Sequence, residues 1–189
     1  MKTINVIMGP TFSGKTTLIK QIINRNPDVK RLITHTTRPK REGEVDGRDY
    51  YFVSDDQAAK DQLTGQAIAP RTYHVQSGDY WTYYVSAKTL KNLPAQENLI
   101  ITDLTGYHDI KDYVQHAGLD LQVKGWIINT DLMTIFKRIV NSNRNHENPK
   151  ETLRRLYDDE FNVFNNTADE YQKAGITLAS GKEILQHFN

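Results

Sequence analysis

The chain has 189 residues, 38% hydrophobic and 25% charged, with 11 Gly, 6 Pro and no Cys. That make-up describes one globular domain able to bury a core unaided. It excludes collagen-like, disordered and membrane-embedded classes, and removes disulfides, thiolate nucleophiles and Cys-ligated zinc. Lys and Arg total 24 against 23 Asp and Glu, a formal charge of +1, so no global field draws in nucleic acid or an anionic membrane, and any anion must be recognised locally.

The first residues, MKTINVIMGPT, carry an apolar run broken by Asn5 and stopped by Gly9-Pro10, so they read neither as a secretory leader nor as a spanning helix. The expected location is cytoplasmic, in keeping with a cysteine-free chain. Residues 3–8 predict a strand buried on both faces of a parallel sheet, since Ile4, Val6, Ile7 and Met8 do not alternate with polar neighbours. A helix over 16–24 follows, with Leu18, Ile19, Ile22 and Ile23 as its inner stripe, ended by Asn26-Pro27-Asp28. A second strand is expected over 31–36.

Between residues 37 and 84 the composition shifts to turn formers and aromatics, including Tyr50, Tyr51, Tyr73, Tyr80, Tyr83 and Tyr84. Short antiparallel strands are expected over 50–53, 67–72 and 80–85, with Ser54 capping a helix over 55–63. This stretch reads as an inserted subdomain whose tyrosines line a polar cleft. The αβ rhythm then returns: a helix to about 93, a strand 98–102 ending at Asp103, a helix 107–116 and a strand 123–129. Asn129 or Thr130 is expected to cap a helix beginning at Asp131. The polar run 141–148 interrupts it and is the candidate lid. Pro149 suits the first turn of a helix reaching about 171, before a last strand over 175–179 and a closing helix over 182–188.

Gly9-Pro10-Thr11-Phe12-Ser13-Gly14-Lys15-Thr16 matches GxxxxGK[ST] between a predicted strand and a predicted helix, followed by Thr17. Glycines let backbone N–H groups turn into one concavity, the helix terminus adds positive potential, Lys15 reaches β/γ-phosphates and the Thr16 hydroxyl can ligate magnesium. Asp103, at a strand end, can hold magnesium through water or contact a second substrate; a helix cap or turn ahead of Gly106 is the alternative.

A second anion site is suggested by THTTRPKREGEVDGRDYYF, residues 34–52. Arg38 and Arg41 make a fork for a terminal phosphate, and Gly43 and Gly47 permit turns that bring Glu44 and Tyr50 back toward it. A solvated charged hairpin is the competing reading. Further arginines stand at 138, 144, 154 and 155. Arg144 and Arg155 are placed to meet a transferring phosphoryl group on closure, Arg138 is open between that and the surface, and Arg154 reads as a surface pair with Asp158.

These strings together resemble guanylate kinase, over nearly the whole chain. GPTFSGKTTL is similar to the family's phosphate loop, TTRPKREGEVDGRDYYF to its monophosphate-binding segment, and IITDLTG to its strand ending in aspartate and glycine; Arg144 and Arg155-Leu156 keep its arginine spacing. The resemblance implies an α/β P-loop NTPase fold: a mainly parallel sheet flanked by helices, formed by 1–36 and 86–189, with an inserted mixed α+β monophosphate-binding subdomain over 37–85 and a helical lid near 138–155. It also implies that Arg38, Arg41 and Tyr50 hold the acceptor monophosphate beside Glu44. Thr34 would stand where a family serine contacts guanine, Asp103 between magnesium and acceptor, and Lys15, Arg144 and Arg155 at the transferring phosphates. The implied cofactors are ATP and Mg2+ and the partners small nucleotides, with monomer and homodimer both open.

The base-reading half departs from the family. Its guanine-reading glutamate is replaced by Ala69, and the segment before its Tyr-Gly-Thr becomes YHVQSGDYWTYY, leaving Tyr80 or Tyr83 for the phosphate and Arg71, Thr72 or Gln76 for the base. The donor adenine would rely on Ser180 or backbone. The expected activity is ATP-dependent phosphorylation of a nucleoside monophosphate, GMP or dGMP by default. The alternatives are a kinase of the same fold acting on another nucleotide or a phosphorylated sugar, and a non-catalytic phosphopeptide-binding module.

Overall fold

The computed structural model describes residues 1–75, 77–141, 149–159, 164 and 166–188, with backbone alone for 149–151, 155 and 158. Its core is a five-stranded, wholly parallel sheet in the order β2 (Lys30–Arg31), β7 (Glu97–Ile101), β1 (Lys2–Met8), β8 (Leu121–Ile128) and β9 (Ile176–Ala179). Helices cover both faces. Ile4, Val6 and Met8 point into one apolar cluster with Tyr107 and Ile110, while Ile7 points into the other with Leu18, Ile19, Ile22 and Ile184. This two-sided burial is why β1 reads as a continuous apolar run. Asn5, its one polar interruption, is fully buried and satisfied: it accepts from Trp126 Nε1 at 3.0 Å and donates to Glu97 Oε2 at 2.7 Å.

A second sheet, in the order β4 (Tyr51–Phe52), β3 (His35–Thr36), β6 (Tyr80–Ser86) and β5 (Ala67–His74), carries the tyrosine-rich stretch, with α2 (Asp55–Leu63) against β5. Ser54 caps α2 by accepting from Gln57 N. Two details differ from expectation. β3 and β4 pair in parallel, not antiparallel, and the single strand expected over 31–36 is two short strands in different sheets. Leu32 is the reason for the second: it is buried in the core cluster and its N–H donates to Leu99 O, after which the chain crosses over residues 33 and 34. An apolar-polar pattern cannot show a change of sheet.

Between the core strands lie α1 (Lys15–Arg25), α3 (Ala87–Lys91), α4 (Leu104–His116), α5 (Leu132–Val140), α6 (Pro149–Asp158), α7 (Ala168–Lys173) and α8 (Gly181–His187). The N-cap of α5 is Asp131 itself, which accepts from Thr134 N at 2.9 Å, rather than Asn129 or Thr130. The helix expected over 149–171 is two, because Thr167 and Glu170 form a reciprocal capping box that starts α7 afresh. Among the described residues no helix is long and apolar enough to cross a membrane.

Close packing in the core yields one prediction. A Cβ on Gly125 would lie 2.8 Å from Ile176 Cγ1 and 3.0 Å from Tyr107 Cε2. Gly125→Ala is expected to destabilise the protein by about 1–3 kcal/mol through overpacking, read as a lower urea midpoint; an unchanged midpoint would show that the core yields there.

Candidate active site

The C-terminal ends of β1, β2 and β7 open on a cleft of about 820 Å³ that reaches across to the second sheet. Open parallel sheets place ligands at this end of their strands. The loop between β1 and α1 forms one end. Gly9 has φ +142° and Gly14 φ +100°, and Phe12 also has positive φ, so the backbone folds into a tight hook. A Cβ on Gly9 would lie 2.9 Å from Ser13 Oγ. Lys15 Nζ donates to Gly9 O at 2.6 Å and Pro10 O at 2.8 Å, spanning the hook, and with Gly9, Thr11 and Thr16 lines the cleft. Arg138 Nη1 donates to Phe12 O at 2.9 Å and stands over Gly14. Thr130 Oγ1 donates to Ser13 O. Ser13 Oγ is buried with no hydrogen-bond partner, and Thr17 is exposed on α1.

One contact here has no warning in the sequence: Thr11 N donates to Asp159 Oδ2. Asp158 is the last residue of α6 and Asp159 follows it, within the single helix that the sequence predicts over 149–171. Arg154, read as a surface residue, lines the cleft with Asp159. Arg155 lies in α6 with its side chain outside the described residues, and Arg144, Gln76 and the candidate lid over 142–148 fall outside them too.

At the opposite end Arg38 is 4% exposed, and its Nη2 donates to Glu44 Oε1 at 2.7 Å. The turn between β3 and β4 folds back through Glu44, which also accepts from Arg41 N at 2.8 Å. Burial works against the Arg38 charge, but the Glu44 carboxylate more than offsets it, so its pKa rises; burial alone would raise that of Glu44, and the arginine holds it below the usual carboxylate range. The guanidinium lies 5.4 Å from the Tyr50 ring centroid. Tyr83 packs edge-on to Tyr50 at 6.0 Å, and burial pushes its phenol up, so it stays a neutral donor. Thr34 and Arg41 line the same cleft, as does Arg31, which the sequence placed in a strand and gave no role. Tyr80 is not brought in: it is 63% exposed and stacks on His74 at 4.7 Å. Thr72 meets Thr82 through their hydroxyls, 2.9 Å apart. Ser180 is committed to the capping box of α8.

Between the two ends stands Asp103, the N-cap of α4. Its Oδ1 accepts from Gly106 N at 2.7 Å and Arg71 Nε at 3.0 Å, and its Oδ2 from the Tyr73 hydroxyl at 3.1 Å. Arg71 also donates through Nη2 to Asp109 at 2.7 Å. A magnesium ion keeps much of its octahedral shell as water and phosphate oxygen, so it needs few protein ligands. The Thr16 hydroxyl, at the first turn of α1 on the cleft wall, fits one position; Asp103 as arranged does not, because an arginine already occupies its charge. Among the described residues no three acidic or histidine side chains gather.

A family model described as "Guanylate kinase" matches residues 1–68. A guanylate kinase of Helicobacter hepaticus is 34% identical over 110 residues, 57% of this chain and 52% of the relative, so the chain spans about half the length of that protein. A guanylate kinase of Legionella pneumophila (strain Paris) is 26% identical over 184 residues, 93% of this chain and 82% of the relative. In fold, the chain is similar to the crystal structure of guanylate kinase from Anaplasma phagocytophilum, with a TM-score of 0.59 at 18% identity, covering 98% of this chain and 81% of that one. Sequence similarity is firmest through the phosphate loop and the β3–β4 turn, and similarity of fold extends over the remainder; the chain is similar to guanylate kinases in both.

Proposed function

We infer that the protein transfers the γ-phosphoryl group of ATP to a nucleoside monophosphate, with GMP or dGMP as the default acceptor in keeping with the names of its relatives. One observation carries this reading: a single cleft has a phosphate loop at one end and a buried arginine, set by Glu44, at the other.

Each end has a different task. The loop N–H groups and the α1 terminus cradle the donor phosphates, and Lys15 exchanges its two carbonyl partners for β/γ-phosphate oxygens. Thr16 contributes its hydroxyl to magnesium, which when bound neutralises charge on the phosphate oxygens. Arg38, Arg41, Tyr50 and Tyr83 hold the acceptor phosphate so that its oxygen faces the donor in line. Glu44 keeps Arg38 in one rotamer, so little freedom is lost on binding. Arg154, which lines the cleft, and Arg138, which bonds the phosphate loop through Phe12 O, would offset charge on the transferring group, as would Arg144 and Arg155.

The test is magnesium-dependent ADP production from ATP, with and without each nucleoside monophosphate. At least one nucleotide, GMP or dGMP among them, is expected to raise turnover into the range of about 1–100 per second usual for kinases. No stimulation by any of them would overturn the reading in favour of a non-nucleotide acceptor or a binding module.

A further inference from the structure

We propose that Arg71 is a specificity-determining residue that relaxes the choice of acceptor base by withholding the Asp103 carboxylate from it. The proposal rests on the nucleoside-monophosphate reading of the cleft.

The placement of Arg71 is a product of strand register. In the β5–β6 ladder Ile68 pairs with Val85 and Arg71 with Tyr83, so Ala69 and Pro70 together oppose Tyr84 alone. This is a β-bulge, and Ala69 carries its strain as a non-glycine residue at φ +51°. Without the extra residue Arg71 would oppose Thr82, and the period of two would turn it to the reverse face of the sheet. With it, Arg71 and Tyr73 share the cleft face with Tyr83 and Trp81. The family model's match ends at residue 68, one residue before the bulge begins.

Once there, Arg71 is fully engaged. Nε donates to Asp103, Nη2 to Asp109 and Nη1 to Pro70 O, with side chains only 18%, 20% and 40% exposed for Arg71, Asp103 and Asp109. Asp103 thus takes three donors on two oxygens and has its charge neutralised. Burial first, then the Asp103 carboxylate, pushes the Tyr73 phenol well up, so it remains a protonated donor to Asp103. The other acids lining the cleft among the described residues are committed as well: Glu44 to Arg38, Asp49 to Val45 N and Arg48, and Asp159 to Thr11 N.

Guanine presents N1–H and N2–H2 side by side, a two-donor edge that a free carboxylate meets with both oxygens. A site built to pair such groups rejects a base lacking them by about 10⁴–10⁵, because its own buried partners are left unpaired. A site that offers only shape and stacking separates similar ligands by about 10–200. Ala69 adds no polar group, and the Asp103 carboxylate is already paired, so this cleft belongs to the second kind.

The experiment compares equilibrium binding of GMP and AMP by calorimetry, without turnover, in the natural protein, Arg71→Met and Arg71→Lys. The natural protein is expected to prefer GMP by less than about 200-fold. Arg71→Met removes the guanidinium but keeps the stem, and is expected to tighten GMP relative to AMP at least tenfold with ATP affinity unchanged. Arg71→Lys, which keeps the charge at Asp103, is expected to stay near the natural ratio. A natural preference of 10⁴ or more overturns the proposal, as does a folded Arg71→Met with the natural ratio or failure of both nucleotides to bind. Should Arg71→Met not fold, the natural ratio and the lysine variant decide. Nucleotides that bind in this pattern without phosphoryl transfer would overturn the kinase reading while supporting the role of Arg71.

Discussion

Lys15→Met is expected to lower turnover by about 10²–10³-fold, the loss seen when one preorganised donor to developing charge is removed. The stability of the protein should barely move. Two partly buried hydrogen bonds to Gly9 O and Pro10 O disappear, each with a net worth of about 0.5–1.5 kcal/mol or somewhat more for a charged donor. Against this, the substitution removes a cation from the positive end of α1, where it is disfavoured by about 0.3–1 kcal/mol, and from a loop whose N–H groups converge. The two effects oppose, so turnover and thermal midpoint should separate cleanly in one variant. Unchanged turnover in a folded Lys15→Met would remove the lysine from the reaction.

Arg38→Met should act at the other end, raising the KM of the acceptor by about two orders of magnitude or more, since truncating one member of a buried hydrogen-bonded charge pair costs about 2–5 kcal/mol. The KM of ATP should stay within about threefold, because nothing in the Arg38 contacts reaches the phosphate loop. An equal loss of ATP affinity would argue against separate sites. The pH dependence should change too. Glu44 is held below the usual carboxylate range by Arg38, so its contribution to the turn is present above the unfolded glutamate pKa and fades only as pH falls through the lowered folded value. Without Arg38 burial is opposed only by Arg41, so the Glu44 pKa should move up from its lowered value and acceptor binding should weaken at a higher pH than in the natural protein.

Both variants probe residues that the sequence located, and the reason they could be located is local geometry. A phosphate loop needs glycines and a lysine within eight residues, between a strand and a helix, and the Arg38–Tyr50 turn closes on itself through Glu44. The middle of the cleft was less legible because its contacts are long-range. Arg71 meets Asp103 across 32 residues and Thr11 meets Asp159 across 148, and no spacing in the chain announces either. The bulge at Ala69 decides which face Arg71 takes, and a strand pattern read from residues 67–72 carries no sign of one extra residue. The boundaries that shifted had local signals: Thr167 with Glu170 marks a fresh helix start, and Asp131 with Thr134 a cap. The division of residues 31–36 had none, since only the burial of Leu32 in the core separates β2 from β3.

The chain leaves the core sheet over residues 33 and 34 and returns after Ser86, but the second sheet is not equally free along its length. Ile68 and Val85, at its inner end, share one apolar cluster with Ile4 and Tyr107, whereas residues 41–43 and 45–48 of the β3–β4 turn are exposed. Any rotation of that sheet about the buried Ile68–Val85 pair would therefore carry the arginine-bearing turn farthest. Amide exchange would show the gradient directly, slow at Ile68 and Val85, fast from Glu44 to Asp49, and slowed at the turn when an acceptor phosphate is captured.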